Sequence, residues 1–193
     1  SFDNGAFLYA LKENAEEAGL SQEAYLASLN LLDVEEVAAV LPQLNVHERS
    51  PKLTAEDLYL NEKLPFGYNY VDTNLRITHD YDNFGGHGSH VAGIAAANRY
   101  IPKEDSYLRA TDTVFVCGAA PDAQIITLKV AGVGGGIAES DYMAAIEDAI
   151  LLDCDAVNLS LGSNMPGEVY NNTSVYAELL DYLAKTDTVV TVS

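Results

Sequence analysis

Residues 85–94 read Gly85-Gly86-His87-Gly88-Ser89-His90-Val91-Ala92-Gly93-Ile94, and the reading of this stretch decides the fold. A histidine stands among glycines, and small apolar residues follow at once. Glycines let backbone approach closely, and small side chains let a helix pack tightly against a neighbour. Such a pattern sets an imidazole at the mouth of a helix, half inside a cleft. An imidazole titrates near neutrality, so it can take a proton from a hydroxyl and return it to a leaving amine. A lone histidine before a helix is more often structural, so the flanking chain must carry the rest of the argument.

Downstream, short apolar runs alternate with amphipathic segments. Residues 125–130 read as a buried strand. Residues 139–152 read as a helix with Met143, Ile146, Ala149 and Ile150 inward. A second strand is expected over 156–161, a second helix over 174–185 and a third strand over 188–192. Continuous apolar strands separated by helices predict a parallel sheet covered on both faces. The expected class is α/β, a three-layer αβα sandwich with a mostly parallel sheet.

Upstream, residues 1–62 are acidic and helical in pattern. Phe7, Leu8, Leu11, Ala15 and Ala18 recur at helical spacing; Ser21 can cap a second helix and Asp33 a third, stopped by Pro42. Thr54-Ala55-Glu56-Asp57 has the form of a capped turn. Residues 63–72, with Pro65 and Gly67 among aromatics, read as extended chain. The chain reads as one domain, with a helical insertion over 1–62 and a core over 63–193.

With 193 residues, 48% of them hydrophobic, the chain can bury a substantial core. Ten basic residues against twenty-nine acidic give a net charge of −19, a surface that repels phosphates and anionic lipid. Nucleic acid is therefore not an expected partner, no apolar run is long enough to span a bilayer, and no signal peptide opens the sequence. Cys117 and Cys154 lie outside any C-x-x-C pair and read as two buried free thiols, a single disulfide being the alternative. His87 and His90 form H-x-x-H without the glutamate of H-E-x-x-H, so no metal ligand is assigned. His90 reads as a packed, locally hydrogen-bonded side chain, and His47 and His79 read as exposed. Asn171-Asn172-Thr173-Ser174 holds glycosylation sequons whose use depends on the host.

The stretch around His87 closely resembles the histidine motif of subtilisin-like serine proteases, His-Gly-Thr/Ser-His-Val-Ala-Gly. Four further segments resemble that family in the same order. Gly118-Ala119-Ala120-Pro121-Asp122-Ala123 resembles its G-x-A-P-x-A turn, and Gly134-Gly135-Gly136-Ile137-Ala138 its substrate-bearing edge strand. Asp155 to Gly162 resembles the strand ending in Ser-Leu-Gly, and Thr188 to Ser193 the strand before the oxyanion asparagine. The resemblance covers roughly residues 66–193. Pro65-Phe66-Gly67-Tyr68-Asn69-Tyr70-Val71-Asp72 and the length of the segment before His87 are similar to the cell-envelope proteinases, the lactocepin and C5a-peptidase group.

The resemblance implies a serine endopeptidase acting through a Ser-His-Asp triad, with His87 as general base. Gly135, Gly136, Ile137 and Ala138 would form one wall for an extended polypeptide substrate, and Ser160, Leu161 and Gly162 the other. It implies an extracellular or wall-attached protein. Calcium is common in the family, but no ligand set can be assigned and no other cofactor is identified. The family's acid lies in an apolar strand followed by Thr/Ser-Gly, and its nucleophile in Gly-Thr-Ser-Met-Ala; neither occurs here. Asp3 lacks the preceding strand, and Ser89 and Ser163 each fall in other segments. The chain thus reads as the central part of a catalytic domain, incomplete at both ends, inactive alone and prone to self-association. Two other readings stand beside it: a catalytically dead subtilase-like module that binds peptides, and a nucleotide-dependent α/β enzyme, for which only the glycine run speaks.

Overall fold

The computed structural model describes residues 1–83, 85–162 and 175–192, and of Val175 and Tyr176 the backbone alone. The chain opens with α1 (Asn4–Glu17), α2 (Gln22–Leu26) and α3 (Val34–Val40), then a single 3-10 turn at Leu41–Gln43. Next come α4 (Asn45–Arg49), α5 (Ala55–Leu58), β1 (Phe66–Asn69), α6 (His87–Ala96), β2 (Tyr100–Lys103) and β3 (Ser106–Arg109). α7 (Ala110–Thr113), β4 (Ile126–Lys129), α8 (Glu139–Leu151), β5 (Ala156–Leu159), α9 (Val175–Leu183) and β6 (Val189–Val192) complete it.

Local signals set the early helix boundaries. Asp3 accepts from Ala6 N at 2.8 Å and caps α1, so its carboxylate serves a helix start. Asp33 and Glu36 form a reciprocal capping box on α3, as Thr54 and Asp57 do on α5. Pro42 ends α3 as expected, yet the chain tightens into the 3-10 turn and restarts as α4, which the sequence pattern did not reveal. The cause is distant. Buried Asp148 on α8 accepts from Asn45 N at 2.7 Å and Val46 N at 3.1 Å, capping α4 from across the core.

The architecture is α/β with parallel strand pairing. β1 pairs with β4 and β5 with β6, both parallel, while β2 and β3 form an antiparallel hairpin. The main core joins the two halves of the sequence: Val37, Leu41, Leu44, Val46 and Leu58 pack with Phe66, Tyr68, Tyr70, Ala144, Ala145 and Leu152. Helices α3–α5 are thus part of the same core as β1 and α8, while α1 packs through Ala6 and Ala10 against Tyr100 in a separate cluster. Arg49 reinforces the joint, donating to Asp141 Oδ1 at 2.7 Å, Tyr70 O at 2.9 Å and Ser140 O at 3.1 Å.

Not every strand is as buried as its apolar run suggests. β4 is half-buried throughout, and Ala156, Asn158, Val189 and Val192 are exposed. The thiols differ from expectation in depth: Cys117 and Cys154 are unpaired but only half-buried. Burial and the neighbouring Asp155 and Asp153 carboxylates push the Cys154 thiol up to about 12, which keeps it unreactive. Among the described residues no helix is long and apolar enough to cross a membrane.

Candidate functional site

α6 begins at His87, with Gly86 as its N-cap and Gly85 in left-handed backbone at φ +74°. The imidazole therefore leaves the first turn of the helix, exposed, with room around it. Three backbone bonds fix the other end of α6. Gly118, Ala119 and Ala120 donate to the carbonyls of Ala97, Ile94 and Ala95 at 2.8, 2.9 and 2.8 Å. This satisfies the carbonyls that a helix terminus leaves without partners. Only glycine fits at 118: a Cβ there would stand 2.6 Å from Ala96 Cα.

His87 Nε2 lies 3.0 Å from the carbonyl oxygen of Ser160, just beyond the end of β5. A carbonyl only accepts, so Nε2 carries the proton in this contact. Asn158 supports that strand end: its Nδ2 donates to Ser160 Oγ at 2.9 Å, and its Oδ1 accepts from Thr191 Oγ1 on β6 at 3.1 Å. Two sequence-expected positions, 73 residues apart, thus meet. Ser160 and Leu161 are half-buried and Gly162 is exposed.

The glycine segment differs from a plain edge strand. Gly132 N donates to Gly136 O at 3.0 Å and Gly135 N to Gly132 O at 2.8 Å, and Ala131 bridges Ile137 in antiparallel fashion. Gly135 sits at φ +76°. Residues 131–137 are therefore a tight turn closed by that bridge, and Ala138, the residue before α8, is extended. Gly135, Gly136, Ile137 and Ala138 are all exposed. This loop meets the approach to His87 through Asn83 N, which donates to Val133 O at 3.0 Å.

Two histidine expectations need revision. His90 is exposed and does not pack in the helix groove. His47 is half-buried, and its Nδ1 is buried with no hydrogen-bond partner among the described residues. His79 is exposed as expected, and its Nδ1 lies 3.2 Å from Ser89 Oγ, two residues after His87 in the first turn of α6. Ser163 and the sequons at 171–174 lie outside the described residues. The sequence reading passed over Asp82, Asn158 and Lys129; the last two stood out as polar residues inside apolar runs.

The subtilase family (peptidase S8) matches residues 53–193 of this sequence. This chain belongs to the subtilase family. Among relatives, the PI-type proteinase of Lactococcus lactis subsp. cremoris is 34% identical over 122 residues, 62% of this chain and 6% of the proteinase. The thermophilic serine proteinase of Bacillus sp. (strain AK1) is 31% identical over 120 residues, 61% of this chain and 26% of that protein. The C5a peptidase of Streptococcus pyogenes serotype M6 is 30% identical over 113 residues, 51% of this chain and 9% of that peptidase. The subtilase chain described here spans a small part of the length of each. Its similarity to the cell-envelope group agrees with the reading of residues 65–72.

Proposed function

We propose that the protein containing this chain is a serine endopeptidase in which His87 is the general base. The contact of His87 Nε2 with Ser160 O carries the proposal, because it sets the imidazole against one of the two expected substrate walls. An extended polypeptide would lie between Gly135–Ala138 and Ser160–Gly162, pairing with exposed backbone by strand addition. Serine attack on the scissile carbonyl would pass its proton to His87, which would return it to the leaving amine.

The observed contact defines what activation requires. With Nε2 donating to Ser160 O, the neutral ring keeps its lone pair on Nδ1. A base working on a serine needs the lone pair on Nε2. A carboxylate accepting from Nδ1–H would select that tautomer, which is the work of the triad acid. The 193 residues contain no Gly-Thr-Ser-Met-Ala, so alone they are expected to be inert. For calcium no donor set is apparent: among the described residues no three His, Cys, Asp or Glu side chains converge. The likeness to the cell-envelope group supports a place outside the cell.

The test uses the full-length protein and a fluorophosphonate probe, which modifies an activated serine. Labelling is expected in the full-length protein and lost in its His87→Ala variant. Full-length protein that binds peptides without labelling would mean a peptide-binding module in place of a peptidase.

A further inference from the structure

One lysine grips both ends of the turn that leads to His87. Lys129 closes β4, and its Nζ lies 2.8 Å from each Asp82 carboxylate oxygen and donates to Thr78 O at 3.0 Å. The side chains of Lys129 and Asp82 are only 11% and 14% exposed. Asp82 N donates to His79 O at 2.9 Å, closing the turn. An ammonium has three protons, and these acceptors can use all of them. A charge so far withdrawn from water is costly unless paired this completely. The exposed pair Lys12–Glu16, at 3.8 Å, is the contrast: a solvated surface contact.

The turn reaches in two directions. His79 within it touches Ser89 at 3.2 Å, and a Cβ added to Gly86 would stand 3.4 Å from its ring. Asn83, the next residue, donates to Val133 in the glycine loop. We infer that the Asp82–Lys129 ion pair is a positioning device that holds the first turn of α6, and so His87, in register with the glycine loop at 131–138. Neither residue touches the reacting atoms; both act through His79, Gly86 and Asn83. This inference rests on the reading of His87 as base.

The experiment compares full-length protein with its Lys129→Met, Asp82→Asn, Lys129→Arg and Lys12→Met variants. kcat and KM are measured on an unstructured peptide, and hydrogen exchange is followed over residues 78–90 and 131–138. A misplacement of about 1 Å at a catalytic group costs up to about a hundredfold. Lys129→Met and Asp82→Asn should therefore lower kcat about tenfold to a hundredfold, with KM within about twofold. Exchange should rise in both segments together and stay unchanged over α3–α5. Lys129→Arg should recover most of kcat, and Lys12→Met should match the parent. Unchanged kcat with loosened loops, or exchange rising in one segment only, would overturn the inference. Should the parent neither cleave peptide nor take the fluorophosphonate probe, the base assignment fails, and the exchange measurement still decides the clasp: joint loosening supports it, independent behaviour refutes it.

Discussion

Phe66 and Tyr68 on β1 are fully buried, whereas Ile94 on α6 is 59% exposed and Phe115, in the loop after α7, is 86% exposed. Apolar packing between helices α3–α5, β1 and α8 holds the first region. The second is held by backbone bonds from Gly118 to Ala120, by the Asp82–Lys129 ion pair and by the Asn158 bridge. The difference separates two tasks. Burial fixes the fold of the first region, and directional polar contacts hold the second, where the proposed peptidase would admit its substrate.

The contrast predicts a sharp split in stability. Phe66→Ala empties a site inside the core and should cost about 3–5 kcal/mol, while Phe115→Ala should stay within about 0.5 kcal/mol. Urea midpoints of the two variants measure the split; equal costs would break the comparison.

Next in size is a pH effect from Lys63. Its Nζ is buried, donating to Pro121 O at 2.9 Å and Ala123 O at 2.6 Å above the Phe7 ring, and among the described residues no carboxylate pairs with it. Burial lowers its pKa to about 8. The unfolded side chain titrates near 10.4, so between about pH 8 and 10.4 the unfolded chain binds more protons. Stability from this group therefore rises with pH across that window, by about 3 kcal/mol in total, and is flat below it. Lys63→Met should remove the rise. Unfolding at pH 7.5 and 9.5 in both proteins tests it; an identical slope would show that Lys63 titrates normally.

A smaller loss is expected from Tyr70→Phe. Burial raises the Asp148 pKa, and donors from Asn45, Tyr70 and Val46 oppose the rise. The Tyr70 hydroxyl donates at 2.8 Å, and its removal should cost about 1–2 kcal/mol by urea denaturation. A neutral outcome would mean that water replaces the hydroxyl.

Legibility in the sequence follows the same division. The caps at Ser21, Asp33 and Thr54 were readable because cap and helix are neighbours in the chain. Helix α8 and the parallel pairs were readable from apolar spacing. The hairpin β2–β3 was not: its turn runs through Glu104 at φ +51° rather than a glycine, and Pro102 stands inside a strand. α4 was hidden because its cap comes from Asp148, far along the chain. At the site, His87 and Ser160 were legible from contiguous motifs. The turn at 131–137 and the Lys129 clasp were not, because each depends on contacts that no single stretch of sequence contains.

The central claim is that His87 supplies chemistry and not packing. His87 and His90 are both exposed on α6, so neither should matter much to folding. In the full-length protein, turnover and thermal midpoint are measured for His87→Ala and His90→Ala side by side. Loss of a general base costs about two to four orders of magnitude, or more where base and nucleophile act as a unit. His87→Ala should therefore abolish measurable turnover with its melting unchanged, while His90→Ala should keep both near parental values. Near-normal turnover in His87→Ala would contradict the account.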